Sequence, residues 1–189
     1  MPQKAQSFSR QKYYHAKFDQ LVVYLTNRFR YDVNFGKTKL NCALFFADMH
    51  TYRALGSAIT GATYVHRKHS PITYHLADAL SRLGETIRVE EWRILVGTDL
   101  RFYPQRGADL TCFGAAEISA ADDVVRVLAG LTEAEAAALA RDHLGWQITE
   151  EGQEIPYASA VCTTVDLCPE ILTWTSTITA AHYTHLPAR

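Results

Sequence analysis

The sequence lacks the features that would place the chain in a membrane. It has no run of about 18 consecutive apolar residues, the length that a membrane-spanning helix needs. Its first fifteen residues, MPQKAQSFSRQKYYH, are polar and lack the apolar stretch of a signal peptide. We therefore expect a cytoplasmic protein without a membrane partner.

Cysteine is scarce, and neither sign of charge is in excess. The four cysteines, Cys42, Cys112, Cys162 and Cys168, are scattered and form no Cys-x-x-Cys pair. In a chain without a secretion signal this spacing predicts reduced thiols rather than a disulfide framework. Nineteen Lys and Arg balance twenty Asp and Glu. Nucleic acid is thus an unfavoured partner, because a general nucleic-acid binder normally carries a basic face.

Repeats and low-complexity segments are also absent from the 189 residues. A chain of this length fits one domain, which can bury roughly 70% of its unfolded surface without a metal or disulfide. We expect a flexible N-terminal segment over residues 1–13 and one domain over residues 14–165. Residues 166–189 are expected to form a C-terminal extension that packs on the domain or is partly frayed.

Hydrophobic periodicity predicts a mainly α (α+β) domain. Apolar residues three and four positions apart predict an amphipathic helix over residues 13–30 and a largely buried helix over residues 37–55. Gly56 follows the second helix directly and suits its C-terminus. Further helices are expected to begin at Ser70-Pro71, where Ser can cap and Pro suits the first turn, and at Ser119.

The second half of the chain adds shorter elements. Alternating apolar residues predict two short strands, giving a small antiparallel β element around residues 86–104, although Gly97-Thr98-Asp99 could interrupt it. Thr132 and Glu135 match a capping box, and the helix that follows is expected to end at Gly145-Trp146. A final helix is expected over residues 158–165.

The motifs of common enzymes are missing from the chain. It has no Gly-x-Ser-x-Gly and no His-Glu-x-x-His sequence. Gly36-Lys37-Thr38 lacks the earlier glycine of a phosphate-binding loop, because position 31 is Tyr. We therefore expect no catalytic residues, no cofactor and no enzymatic activity.

Three histidines, His66, His69 and His75, lie within ten residues of one another. Histidine is a common zinc ligand, so a metal-dependent hydrolase that uses these side chains is one alternative function. However, the three residues span a predicted strand, a loop and a helix, and no Cys pair completes a tetrahedral site. Surface or capping histidines are the commoner explanation, and no metal site is assigned.

Basic and aromatic residues alternate along the predicted β element. They are Arg88, Trp92, Arg93, Arg101, Phe102, Tyr103 and Arg106. Arg and aromatic side chains are favoured at protein interfaces and also on surfaces that bind single-stranded nucleic acid. A sheet with one wet face and one packed face would show a similar pattern.

The segment from Lys39 to Val65, KLNCALFFADMHTYRALGSAITGATYV, resembles the Panacea domain, the SocA-like antitoxin family of bacteria and phages. The resemblance continues at Pro71 and in a second block near residues 142–157, and it spans about residues 14–160. Ser70 replaces a family Gly, and Asp142 replaces a family Ser. The matching residues are Lys39, Asp48, Tyr52, Gly56, Gly61, Tyr64, Pro71, His143, Trp146, Pro156 and Tyr157.

The resemblance implies an antitoxin of a toxin–antitoxin system, with a role in phage defence, that binds and neutralises a cognate toxin protein. Alternatives are an adaptor that delivers the toxin to a cytosolic protease and a nucleic-acid-binding regulator. The stoichiometry and oligomeric state stay open.

The matching residues are expected to build the scaffold, with Asp48, Tyr52, Trp146 and Tyr157 in one buried polar network. Partner contact is expected instead from the β element. The predicted contact residues are Arg88, Trp92, Arg93, Arg101 and Tyr103.

Overall fold

A computed structural model describes residues 11–94 and 97–162 of the chain. Within these ranges six α-helices accompany one two-stranded antiparallel sheet, so the predicted mainly α (α+β) fold is confirmed. The helices are α1 (His15–Arg28), α2 (Lys37–Leu55), α3 (His75–Arg82), α4 (Ala115–Leu128), α5 (Glu133–Arg141) and α6 (Leu144–Gln147), and the strands are β1 (Ile87–Ile94) and β2 (Gly97–Pro104).

Helix α2 forms the centre of the molecule and packs against α1, α4 and α5. Apolar side chains such as Leu40, Leu44 and Phe45 are fully buried on it. Two charged residues of α2, Lys39 and Asp48, are fully buried as well. They lie about two and a half turns apart, which places them on opposite sides of the helix. The central helix therefore carries one buried cation and one buried carboxylate, each in its own surroundings.

The ends of α2 agree with the predicted range of residues 37–55. Gly56 adopts the left-handed conformation with φ 74°, and its N–H donates to the carbonyl of Tyr52 at 2.8 Å. Glycine has no Cβ to clash in this conformation, which is why it so often ends a helix. The sequence pattern and the local backbone chemistry thus specify the same boundary.

Helix α3 begins later than the sequence predicts. Val65 and Ile72 form an isolated antiparallel bridge, with N–H to carbonyl distances of 2.8 and 3.1 Å. Because this extended pairing holds the chain through Ile72, a helix cannot begin at Ser70-Pro71, and that prediction is wrong. The helix begins at His75, whose N–H donates to the hydroxyl of Thr73 at 3.4 Å.

Helix α4 begins four residues before the predicted start at Ser119. The carboxylate of Glu117 accepts the N–H of Gly114 at 2.8 Å, which satisfies a free amide just before the first turn. The sequence pattern pointed to Ser119 as a cap, but this residue lies inside the helix. Its predicted role is therefore wrong.

The capping box before α5 is confirmed. The hydroxyl of Thr132 accepts the N–H of Glu135 at 3.2 Å, and the Glu135 carboxylate accepts the N–H of Thr132 at 2.7 Å. The helix ends at Arg141 rather than at Gly145-Trp146, which belongs to the short helix α6.

The chain termini are described only in part. A 3₁₀ turn over Tyr157–Ala160 occupies the start of the predicted final helix, while residues 163–165 and the extension over residues 166–189 lie outside the described residues. Residues 1–10 of the predicted N-terminal segment lie outside them too. The ring of Tyr13 stacks on His75 with 3.9 Å between ring centroids.

The two strands form a hairpin in regular register, with Val89 opposite Phe102. Successive side chains along each strand therefore point to opposite faces of the hairpin. Phe102 is buried and its ring meets Phe35 edge-on, with 5.9 Å between centroids. The other face carries charged and aromatic side chains, so this hairpin has one packed face and one wetter face.

Candidate functional site

Asp48 lies at the centre of a buried hydrogen-bond network. Its carboxylate accepts the backbone N–H of Thr60 at 2.7 Å and the hydroxyl of the same residue at 2.5 Å. The hydroxyl of Tyr64 donates to it at 2.8 Å. The hydroxyl of Tyr157 lies 3.2 Å from the carboxylate and donates to the carbonyl of Ala62 at 2.7 Å. One carboxylate thus joins α2, the loop after it and the turn near residue 157.

The pKa values in this network follow from burial. Burial raises the pKa of Asp48, while the hydrogen bonds from Thr60, Tyr64 and Tyr157 lower it. Burial and the nearby Asp48 carboxylate raise the pKa of both tyrosine hydroxyls. Both tyrosines consequently stay protonated and act as donors. The polar atoms of these side chains are hydrogen-bonded within the network. The arrangement therefore suits structural stabilisation rather than proton transfer to a substrate.

Lys39 forms the second buried polar centre on α2. Its Nζ donates to the carboxylate of Asp32 at 2.6 Å and to the carbonyl of Leu131 at 2.5 Å. The ring of Phe29 lies beneath the same ammonium group, 5.4 Å from Nζ to the centroid. A buried cation is tolerated only when it is paired and hydrogen-bonded. Lys39 therefore fastens the turn after α1 and the loop before α5 to the central helix.

The expected single network of motif residues divides into separate groups. The ring of Tyr52 contacts the ring of Tyr157, with 5.5 Å between centroids. Trp146 lies elsewhere, stacked on His66 at 3.8 Å, and its buried Nε1 has no hydrogen-bond partner within the described ranges. Thr60, which donates twice to the carboxylate, was missed by sequence reasoning. Its place in the Ile59-Thr60-Gly61 motif is the signal that could have found it.

Three further motif residues lie at element ends or beside the Val65–Ile72 bridge. The Nδ1 atom of His143 accepts the N–H of Gly145 at 3.1 Å and so caps α6. Burial lowers the pKa of His143 to about 4. Pro71 is buried beside the Val65–Ile72 bridge, and Pro156 immediately precedes the 3₁₀ turn. These contacts are structural.

Gly61 is required by both conformation and space. Its φ is 67°, and a Cβ added there would lie 2.2 Å from the carbonyl oxygen of Lys12. Gly56 shares the positive φ but has open space around it. Gly56 thus ends a helix, whereas Gly61 allows the backbone at Lys12 to pack closely against it.

The three neighbouring histidines lie in different environments. His66 stacks on Trp146, and His75 stacks on Tyr13. His69 is exposed, and its backbone carbonyl accepts a hydrogen bond from Arg141 at 2.7 Å. No group of three or more His, Cys, Asp or Glu side chains that could hold a metal ion occurs in the part of the chain that the structure describes.

Four of the five predicted contact residues share one face of the hairpin. Arg88 lies opposite Tyr103 with its guanidinium 4.8 Å from the ring centroid, and Arg101 lies over the ring of Trp92 at 5.9 Å. Arg93 lies opposite Thr98, in the alternate register, and therefore belongs to the other face. The structure brings the four together and separates Arg93 from them.

A groove of about 370 Å³ lies between the hairpin and the turn after α1. We call it the hairpin groove. Its lining residues are Phe29, Arg30, Tyr31, Asp32, Val33, Phe35, Trp92, Arg101, Phe102 and Tyr103. Sequence reasoning missed Tyr31 and Val33, whose 87% and 83% exposure is high for large apolar side chains. Their sequence signal is two apolar residues between the helices predicted over residues 13–30 and 37–55.

A second groove of about 320 Å³ lies between α2, α4 and α5. We call it the helical groove. Met49, Val127 and Leu139 supply its apolar surface, and His50 lies 3.5 Å from Asp123 at its edge. Asp123 also pairs with Arg126. Arg53 lines the same groove.

Comparison of the chain with known protein families, with curated proteins and with solved structures gives no match. The resemblance of residues 39–65 and 142–157 to the Panacea domain therefore stays a prediction. Among the described residues, every helix is too short or too polar to cross a bilayer.

Proposed function

We propose that the protein is an antitoxin that binds and neutralises a cognate toxin protein by direct contact in the cytoplasm. The observation that carries the proposal is the exposed arginine and aromatic face of the hairpin. Trp, Tyr and Arg are the residues most enriched where alanine substitution weakens protein complexes strongly. Arg88 and Trp92 have exposed side chains on this face.

The internal use of the motif residues supports this proposal. Asp48, Tyr64 and Tyr157 satisfy one another, and Lys39 is neutralised by Asp32. These groups have no capacity left for a substrate, because their polar atoms already have partners in the protein. Surface residues are then left to recognise the partner protein, because they can vary without loss of the fold.

Local order in the hairpin face also favours binding. The guanidinium of Arg88 is 2.9 Å from the Glu90 carboxylate and covers the ring of Tyr103, so both neighbours restrict its motion. Side chains that are ordered before association lose less conformational entropy when they bind. The resemblance of the chain to SocA-like antitoxins supplies the identity of the expected partner, a toxin.

Co-expression tests the proposal. The protein encoded beside this chain is expressed alone and together with it in a bacterial host, and growth is followed. We expect the neighbour to arrest growth and this chain to restore it, with a complex of the two on size-exclusion chromatography. Restoration that disappears only in a host lacking a cytosolic protease would instead indicate proteolytic delivery.

Alanine variants locate the contact. A variant with Ala at Arg88, Trp92, Arg93, Arg101 and Tyr103 is expected to lose growth rescue while retaining its circular dichroism spectrum. The exposed Lys68→Ala variant is the control and should rescue fully. Full rescue by the folded five-fold variant would contradict the role of the hairpin face.

A further inference from the structure

We propose that the hairpin groove binds an acidic segment of the partner protein and seats one apolar or aromatic side chain of that segment between Tyr31, Val33 and Trp92. This inference rests on the proposed antitoxin function. It adds the turn after α1 to the partner-binding surface and specifies the chemistry of the partner.

Apolar exposure is concentrated around this groove. Tyr31 is 87% exposed, Val33 83% and Trp92 50%, although each is a large hydrophobic side chain. They come from two segments far apart in sequence and meet around one concavity. Clustered apolar side chains rimmed by polar ones mark interaction sites on protein surfaces. The three side chains therefore offer a seat for an apolar group.

Among the described residues, one unpaired arginine gives the groove its positive charge. Asp32 is the one carboxylate that lines it, and that carboxylate is neutralised by the buried Lys39 at 2.6 Å. Arg30 is exposed, covers the ring of Tyr31 at 5.2 Å and makes no ion pair with the residues that the structure describes. Arg88 and Arg101 are paired with carboxylates of the hairpin at 2.9 and 3.0 Å, so the unpaired positive charge that the described residues place at the groove comes from Arg30. Carboxylates on the partner would complement this surface.

The walls of the groove are held in place before any partner binds. The guanidinium of Arg101 donates to the carbonyl of Val33 at 2.9 Å and pairs with Asp99 at 3.0 Å. This contact joins the hairpin to the turn after α1, and Lys39 anchors the same turn through Asp32. A groove with fixed walls is typical of a recognition site. Arg101 thus holds the two walls together, whereas Arg30 and Trp92 are available for contact.

The helical groove is the competing surface on the molecule. Arg53 lines it, but so does the carboxylate of Asp123, whose side chain is 38% exposed. The carboxylate that lines the hairpin groove, Asp32, is 14% exposed and bonded to the buried Lys39. An acidic segment would therefore meet a more accessible like charge in the helical groove. Charge complementarity favours the hairpin groove for an acidic segment.

The experiment uses the neighbouring-gene protein that passes the rescue assay as the probe. Its dissociation constant is measured by isothermal titration calorimetry for the wild type, Arg30→Glu, Tyr31→Ala and Lys68→Glu at 50 and 300 mM salt. We expect Arg30→Glu and Tyr31→Ala each to raise the constant by roughly tenfold or more at low salt. Lys68→Glu, an equal charge change at an exposed position outside the groove, should change it less than about twofold.

High salt should reduce the effect of Arg30→Glu, because exposed charges are screened, and leave that of Tyr31→Ala largely unchanged. If the wild type binds and both groove variants have the same dissociation constant as the wild type, the hairpin groove is not the binding site. The antitoxin proposal would then remain intact. Absence of wild-type binding would overturn both. Binding of a 20-nucleotide oligothymidine that is lost in Arg30→Glu, with toxin binding unaffected, would assign the groove to nucleic acid and overturn the protein partner.

Discussion

At the scale of single residues, His143 links the protonation of one side chain to the stability of the fold. Its Nδ1 accepts a backbone N–H from Gly145, and its ring meets Phe45 edge-on with 5.0 Å between centroids. Protonation of Nδ1 would turn this acceptor into a donor that faces another donor. The geometry and the burial therefore both favour neutral imidazole.

We expect the protein to lose stability as the pH falls from about 6.5 to 4. The folded pKa of His143 is about 4, below the ordinary 6.5. The unfolded chain thus takes up a proton over this interval that the folded chain excludes, and the stabilisation present above pH 6.5 is lost as the pH falls through 4. The contribution is about 2 kcal/mol after allowance for partial exposure. Urea unfolding followed by circular dichroism at several pH values measures it.

The variant His143→Asn separates titration from capping. Asn is a strong N-cap residue and can still accept the N–H of Gly145, but it does not titrate. The acid loss of unfolding free energy should therefore be smaller in this variant than in wild type, whereas the exposed His69→Asn should follow wild type. An undiminished acid loss in His143→Asn would assign the effect to other groups.

Individual residues also show which parts of the candidate site can be predicted from the sequence. Asp48 was expected in a buried polar network because it is one of the residues that match the Panacea pattern. Thr60 was missed because a short polar side chain in a loop does not reveal which acceptor it faces. Tyr31 and Val33 were missed because exposure depends on the path of the chain, and their turn has no periodicity to interpret.

At the scale of elements, two glycines with the same backbone conformation are expected to differ in their tolerance of a side chain. Gly61→Ala and Gly56→Ala both place a Cβ at positive φ, which costs about 1 kcal/mol. Only Gly61 adds a clash, because its Cβ would lie 2.2 Å from the Lys12 carbonyl oxygen. We expect Gly61→Ala to lower the free energy of unfolding by at least about 1 kcal/mol more than Gly56→Ala does.

Chemical denaturation of the two glycine variants measures the difference, and Gly56→Ala is the matched control for backbone strain. Equal losses would show that the segment before α1 moves away from Gly61 without cost. Movement of that segment would also expose the Tyr13–His75 stack, which near-ultraviolet circular dichroism can follow.

Helices differ in whether their ends are determined by nearby sequence or by contacts with residues distant in the chain. Residues 37–55 were predicted correctly because apolar periodicity and the terminal Gly56 are both encoded within the helix. The start of α3 was predicted wrongly because Ile72 pairs with Val65, and Val65 in turn bridges to Glu154. A contact between residues so far apart leaves no trace in local periodicity.

At the scale of the whole molecule, the Lys39–Asp32 pair joins three parts of the chain. Lys39→Met removes the cation and leaves Asp32, whose side chain is only 14% exposed, without its partner. We expect a loss of about 3 kcal/mol of unfolding free energy, because removing one member of a buried pair leaves the other charge uncompensated. The double variant Asp32→Asn/Lys39→Met should lose less than the sum of the single variants by about 1 kcal/mol or more.

Equilibrium urea unfolding of the four proteins in this cycle measures the coupling. The exposed pair Arg88–Glu90, with 2.9 Å between its charged atoms, provides a control. Glu90→Ala is expected to cost at most about 1 kcal/mol, because surface ion pairs are weak. Strict additivity in the Lys39–Asp32 cycle would show that the two residues stabilise the protein independently.

The opposite placement of Lys39 and Asp48 on α2 has a consequence for how such a protein could evolve. One centre resists rotation of the helix from one side, and the other resists it from the opposite side, so the orientation of α2 is fixed twice. The hairpin groove draws no lining residue from this helix. Substitutions at Arg30, Tyr31 or Trp92 can then accumulate without disturbing the interior. Partner preference and foldability are thereby inherited as separate traits, and a lineage could exchange its partner while keeping its scaffold.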